Sequence, residues 1–282
     1  MSVQLDTTRI SIRERTFVDV LDLALHVIRA HAWPLAAALA VGVLPMMLLN
    51  AWLLGPRVQT LPVGGPPTEY MWLMLCLVLW EMPLATAPLT LYLGQTLFLE
   101  RTRPGRIALD LLKSLPQLLL LQVVLRAVLV AVVVTWFVLF ASWPYLNEVI
   151  LLERNPLFRG RRGQMSTSRR TRVLHGGYTG DLFARWLGAA VVGTLLLLSL
   201  WFSIGALRSV LLEQGVWYEV WERGFWDRPM FTLYYPLALW LVVGYLTVVR
   251  FLAYLDLRIR REGWEVELLM RAEQARLRRR LT

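Results

Sequence analysis

From Ala32 to Pro56 the chain carries no charge. At about 1.5 Å per residue, a helix over that run is long enough to cross about 30 Å of hydrocarbon. No other feature constrains the fold as much, because in lipid every backbone polar group must be satisfied within the segment or by a neighbour. Similar runs follow. Tyr70 to Leu99 is interrupted by Glu81, Pro83 and Pro88, which predicts a kinked span. Leu115 to Leu152 is almost wholly apolar, with Arg126 inside it and a break at Trp143-Pro144. Trp186 to Leu207 and Pro229 to Val249 complete the set. The bulk numbers agree: 57% of the 282 residues are hydrophobic, 18% are charged, and mean hydropathy is +0.51. Soluble domains carry about 25% charged residues. Disorder is excluded by the aromatic and apolar content, and a disulfide scaffold by the single cysteine, Cys76.

Residues 1–31 mix acids and bases and do not read as a secretory signal, so the first span is expected to stay as an uncleaved anchor. Within them Thr16-Phe17-Val18-Asp19 has the form of a capping box. Phe17, Val20, Leu21, Ala24, Leu25 and Ile28 then recur at helical spacing opposite Asp19, Asp22, His26 and Arg29. This is an amphipathic helix, lying either in the membrane interface or on the protein's own cytosolic loops. A second short amphipathic stretch, Ile107 to Ser114, contains Lys113, the chain's one lysine. Many of the 13 tryptophans flank apolar runs, as Trp33 and Trp52 flank the first, in the manner of an aromatic belt.

The net charge is +10, and its distribution sets an expected orientation. Arginines crowd the segment before the first span, the turn around Arg103, the loop 154–180 and the tail 257–282. The loops Pro56–Pro67 and Gly215–Arg228 have few. By the positive-inside rule the rich segments and both termini are cytosolic, which requires an even number of crossings between them. Leu115–Leu152 then reads as a full span from about Leu115 to Ser142 and a short returning helix from Pro144 to Glu153. The expected architecture is an all-α integral membrane protein with about six membrane segments, the fourth short or re-entrant. An interfacial amphipathic N-terminus (1–31) and a cytosolic helical tail (257–282) flank a transmembrane domain over 32–256. Five ordinary spans is the alternative, and it violates the charge rule.

For chemistry the sequence offers little that converges. His26, His31 and His175 are far apart, and there is no HExxH pattern, GxSxG elbow or phosphate loop. Cys76 has nothing near it to activate a thiolate and reads as an apolar filler. Ionisable groups inside the bilayer are the better lead. Glu81 and Arg126 pair across adjacent helices in one reading, with Asn147 and Glu148 nearby, giving a polar spot for an ion, a proton or a lipid headgroup. The simpler reading is a structural ion pair or a snorkelling Arg126. Arg185, Arg208, Arg250 and Asp256 read as interface anchors. Small residues such as Gly188, Ala189 and Gly193 read as close intramolecular helix packing. The aromatic group Trp217 to Trp226 reads as an outer belt. Arg159, Arg161, Arg162, Arg169, Arg170 and Arg172 in the loop, and Arg278, Arg279 and Arg280 in the tail, are candidate contacts for anionic lipid or a membrane-protein partner. Nucleic acid is not expected, since no recognition fold accompanies the charge. No metal or other cofactor is implied.

The run from Arg250 through Asp256, Arg258 and Arg260-Arg261-Glu262-Gly263 resembles the ending of a group of bacterial polytopic proteins known as the glycerophosphoryl diester phosphodiesterase membrane domain. The layout is similar elsewhere: an amphipathic segment feeds a span that ends near Leu44-Pro45, and a short helix runs into Ile150-Leu-Leu-Glu153-Arg154 and a basic segment. The resemblance implies a helical fold with interfacial helices in a bacterial inner membrane. The phosphodiesterase activity of the name would need a separate soluble domain with metal-binding acids and histidines. The 282 residues leave no room for one and show no such cluster. The expected role is therefore non-enzymatic, organising lipids or protein partners at the cytoplasmic membrane. The alternative is a transporter or channel subunit acting through Glu81, Arg126 and Glu148.

Overall fold

The computed structural model describes residues 16–59, 67–98, 104–124, 144–153, 155–156, 165–176, 179–211 and 228–262. The described elements are all helical. Four helical stretches, Ala32–Val58, Thr68–Leu97, Gly180–Leu211 and Met230–Arg260, are long and apolar enough to cross a membrane. They leave large side chains such as Leu48, Leu195, Phe202 and Leu207 facing outward. An outer surface of that kind is the mark of a membrane protein, because water does not tolerate it.

Helix α1 (Phe17–Ala30) begins with the capping box foreseen in the sequence: the Asp19 backbone N–H donates to Thr16 Oγ1 at 3.3 Å, and the Thr16 backbone N–H donates to Asp19 Oδ2 at 3.0 Å. Helix α2 (Ala32–Gln59) carries Trp33 and Trp52, 86% and 75% exposed. Nineteen residues of helix separate them by about 28 Å. That separation is close to the hydrocarbon thickness of a bilayer. The second apolar run is two helices, α3 (Thr68–Ala85) and α4 (Ala87–Phe98), hinged at Thr86 between Pro83 and Pro88. Thr86 Oγ1 donates to the Met82 carbonyl at 2.7 Å and satisfies one acceptor at the hinge. Gly42 of α2 meets the Ala85 carbonyl so closely that no Cβ fits between them. Opposing contacts run Arg57–Glu69, Asn50–Glu81 and Gly42–Ala85, so α2 and α3 are antiparallel.

Helix α5 (Pro104–Leu118) is longer than the stretch expected from sequence and continues into a wide-turn π segment, Leu119–Val124. The remainder of the predicted third span, 125–143 with Arg126, lies outside the described residues. The short helix expected after Pro144 is present as α6 (Leu146–Glu148), continued by a π segment, Val149–Glu153. Tyr145 to Leu151 are buried. Gln117 Nε2 donates to Thr167 Oγ1 at 2.6 Å, so the start of the apolar stretch meets the chain beyond its end.

Helices α7 (Thr167–His175) and α8 (Thr179–Leu211) follow, then the π segment Met230–Tyr234 and α9 (Tyr235–Glu262). Helix α9 is the axis of the fold and packs against α1, α2, α3, α4, α7 and α8. Its Trp240, Phe251 and Tyr254 are among the largest fully buried side chains. Gly244 faces Leu39 of α2, and Gly193 of α8 faces Leu246 and Val242. Gly188 faces the Phe17 ring of α1. The small residues of α8 therefore serve packing within the chain. Helix α1 is not merely laid in the interface: Val20 and Ala24 are fully buried and Tyr245 Oη donates to the Leu21 carbonyl at 3.2 Å. One core cluster joins α1, the start of α2, α4, the short helix, α7, the start of α8 and the end of α9. All of these meet at the same end of the bundle.

Candidate functional site

At that end the chain assembles a charged junction. On α9, Arg250, Tyr254 and Arg258 are each four residues apart, so they form one stripe along the helix. The stripe faces two carboxylates from the short helix. Arg250 Nε donates to Glu148 Oε1 at 2.6 Å, and Tyr254 Oη donates to Glu153 Oε1 at 2.8 Å. Arg258 lies 3.7 Å from the same Glu153 oxygen. From the other side Arg170 of α7 grips Glu153 with two bonds, 2.5 Å to Oε2 and 2.9 Å to Oε1. This is the forked geometry that guanidinium and carboxylate favour.

The π segment makes the double contact possible. In an α-helix Glu148 and Glu153 would project roughly 140° apart. The i→i+5 pattern closes much of that gap and turns both acids toward α9. The preceding residue serves a different neighbour. Asn147 Nδ2 donates to the Pro83 carbonyl at 3.3 Å, at the end of α3 where the hinge interrupts the helical ladder.

A second knot lies on the opposite side of α9, about 160° around the helix from Tyr254. Asp256, 5% exposed, accepts from Arg185 Nη1 at 3.2 Å and pairs with Arg260 at 3.0 Å. Arg185 also donates to Asp181 at 3.0 Å. His175 closes the layer. Its Nδ1 lies 2.7 Å from the Thr171 carbonyl, and its Nε2 accepts from the Tyr145 backbone N–H at 3.4 Å. That network assigns the proton to Nδ1 of a neutral ring. Tyr145 stacks on His175 at 5.6 Å and lies 6.2 Å from Tyr254.

The electrostatics follow from this layout. The partly buried Glu153 carboxylate is compensated by hydrogen bonds from Arg170 and Tyr254 and by the nearby Arg258. Glu148 is fully buried and its contact with Arg250 is single. Glu148 Oε2, Arg250 Nη2 and Asn147 Oδ1 have no hydrogen-bond partner among the described residues. Chemically, the junction neutralises buried charge and ties helices together.

The residues singled out from sequence are distributed as follows. Glu81 is buried and accepts from Asn50 Nδ2 at 2.9 Å, one helix away from the junction's carboxylates. Glu148 pairs with Arg250. Arg170 belongs to the junction. Arg169 and Arg172 point outward from α7 beside the exposed side chains Met165 and Val173. Arg126, Arg159, Arg161, Arg162, Arg278, Arg279 and Arg280 lie outside the described residues. The sequence does not single out Tyr254 or Glu153 as site residues, and Arg185, Arg250 and Asp256, expected as interface anchors, are also members of ion pairs. The four-residue spacing on α9 was the available signal. No protein-family model, curated protein or solved structure matches the chain.

Proposed function

We propose that this is a non-enzymatic polytopic protein of the bacterial cytoplasmic membrane that organises anionic lipid or an acidic membrane-protein partner at its basic face. The observation that carries this reading is the contrast between two sets of arginines. Arg170, Arg185, Arg250 and Arg260 are matched to acids. Arg169 and Arg172 are exposed on the same end of the bundle, next to exposed Met165 and Val173. Cations flanked by apolar side chains suit a headgroup layer, at about 1 kcal/mol per basic residue near an anionic surface. The proposed topology has six membrane segments and cytosolic termini, as the charge rule asks. Membership of the phosphodiesterase membrane-domain group, without its enzyme, is part of the same proposal.

The test is native mass spectrometry of protein extracted in a mild detergent and offered phosphatidylglycerol or phosphatidylcholine. Phosphatidylglycerol should be retained preferentially, and R169Q/R172Q should lose most of that preference while staying folded. Equal retention of both lipids by the unaltered protein would overturn the lipid reading. A transporter or channel role is the second reading, favoured by the unpartnered Glu148 Oε2. It predicts that E148Q changes proton or ion flux into proteoliposomes.

A further inference from the structure

Helix α5 carries apolar side chains on both sides: Leu118 is buried with Ile107 and Leu111 packed beside it, and other leucines face outward. Asp110 and Ser114 are buried against the protein, at 5% and 7% exposure. Leu109 and Leu112 point outward, at 49% and 65%. The exposed apolar line continues through Leu119 and Leu120 into the π segment. Arg106 and Lys113, seven residues apart, stand exposed along one flank of it. At the helix end, the bond from Gln117 to Thr167 holds α5 beside α7 and its exposed arginines.

We infer that α5 lies along the bilayer surface as an interfacial helix, with Leu109 and Leu112 in the outer acyl region and Arg106 and Lys113 on anionic headgroups. Two observations select lipid as the occupant of this face. Leu109, Leu112, Leu119 and Leu120 are exposed in a bundle whose long helices α2 and α8 expose Leu48, Leu195 and Leu207 in the same way. The cations sit on the flank of this apolar line, where long side chains reach the headgroup level from a helix lying in the interface. The inference needs only the membrane placement of the bundle. It stands or falls separately from the lipid-organising role, which rests on α7.

A fluorescent probe reads the depth directly. In a C76A background, L112C carries an environment-sensitive dye, in vesicles of phosphatidylcholine and phosphatidylglycerol. Lipids bearing a nitroxide near the headgroup should quench it several-fold more strongly than lipids with the nitroxide at the chain end, and aqueous iodide should quench it weakly. The same dye at L195C, outward on the middle of α8, should show the opposite depth order. Strong iodide quenching at L112C would overturn the inference. Protection from every quencher would also overturn it, since a protein surface would then cover the face. Lys113, the single lysine, supplies an independent readout by peptide mass. Its acylation should slow several-fold when phosphatidylglycerol is added to phosphatidylcholine vesicles, and an unchanged rate would remove the headgroup contact.

Discussion

At the residue scale the junction rests on a few charges whose removal has unequal effects. Replacing Arg250 by Gln leaves the Glu148 carboxylate buried against a neutral side chain. Breaking a buried pair in this way costs about 3–5 kcal/mol, whereas replacing both partners by apolar residues of similar volume is often close to neutral. R250Q should therefore unfold in detergent at markedly lower temperature than E148L/R250M, and the reverse order would show that the pair is not the source of stability.

At the scale of elements, α1 shows how much of the fold the sequence carries and where it stops. The Thr16–Asp19 box and the Val20, Ala24 periodicity give the helix and its start directly. What the helix docks against is not contained in its own residues, because an apolar stripe fits a lipid interface and a neighbouring helix equally well. One side of the helix docks on α9, through Val20, Ala24 and the Tyr245 bond to Leu21, while Val18 and Leu25 stay exposed. Truncating fully buried Val20 to Ala should cost about 2 kcal/mol, and Val18, 70% exposed, should tolerate the same change within about 0.5 kcal/mol. Equal effects in a thermal assay would mean that α1 is not docked. The short helix teaches the same lesson. Its existence follows from Trp143-Pro144 and the charge rule. The pairing of Glu148 with Arg250 depends on a π segment that no local pattern announces. The kink in the second run was legible because proline acts locally. The ion pairs were not, because their partners lie as far as 102 residues away.

At the scale of the whole molecule, the antiparallel contacts place Arg57 and Arg172 at opposite ends of the bundle. A cysteine at each position, in a C76A background, should react with a membrane-impermeant maleimide from opposite sides of sealed inverted vesicles, with Arg172 on the cytosolic side. Labelling of both from the same side would defeat the proposed topology. The junction also has a consequence for how the protein is made. Glu148 and Glu153 leave the ribosome about a hundred residues before Arg250 and Tyr254, which bind them. At roughly 5–20 residues per second that is a delay on the order of 5–20 s. During it the carboxylates, and Arg185 after them, have no counter-charge from α9. The order of synthesis thus makes α9 the closing piece. A nascent chain stalled before it would hold Glu153 on Arg170 and Arg185 on Asp181 but leave Glu148 without Arg250.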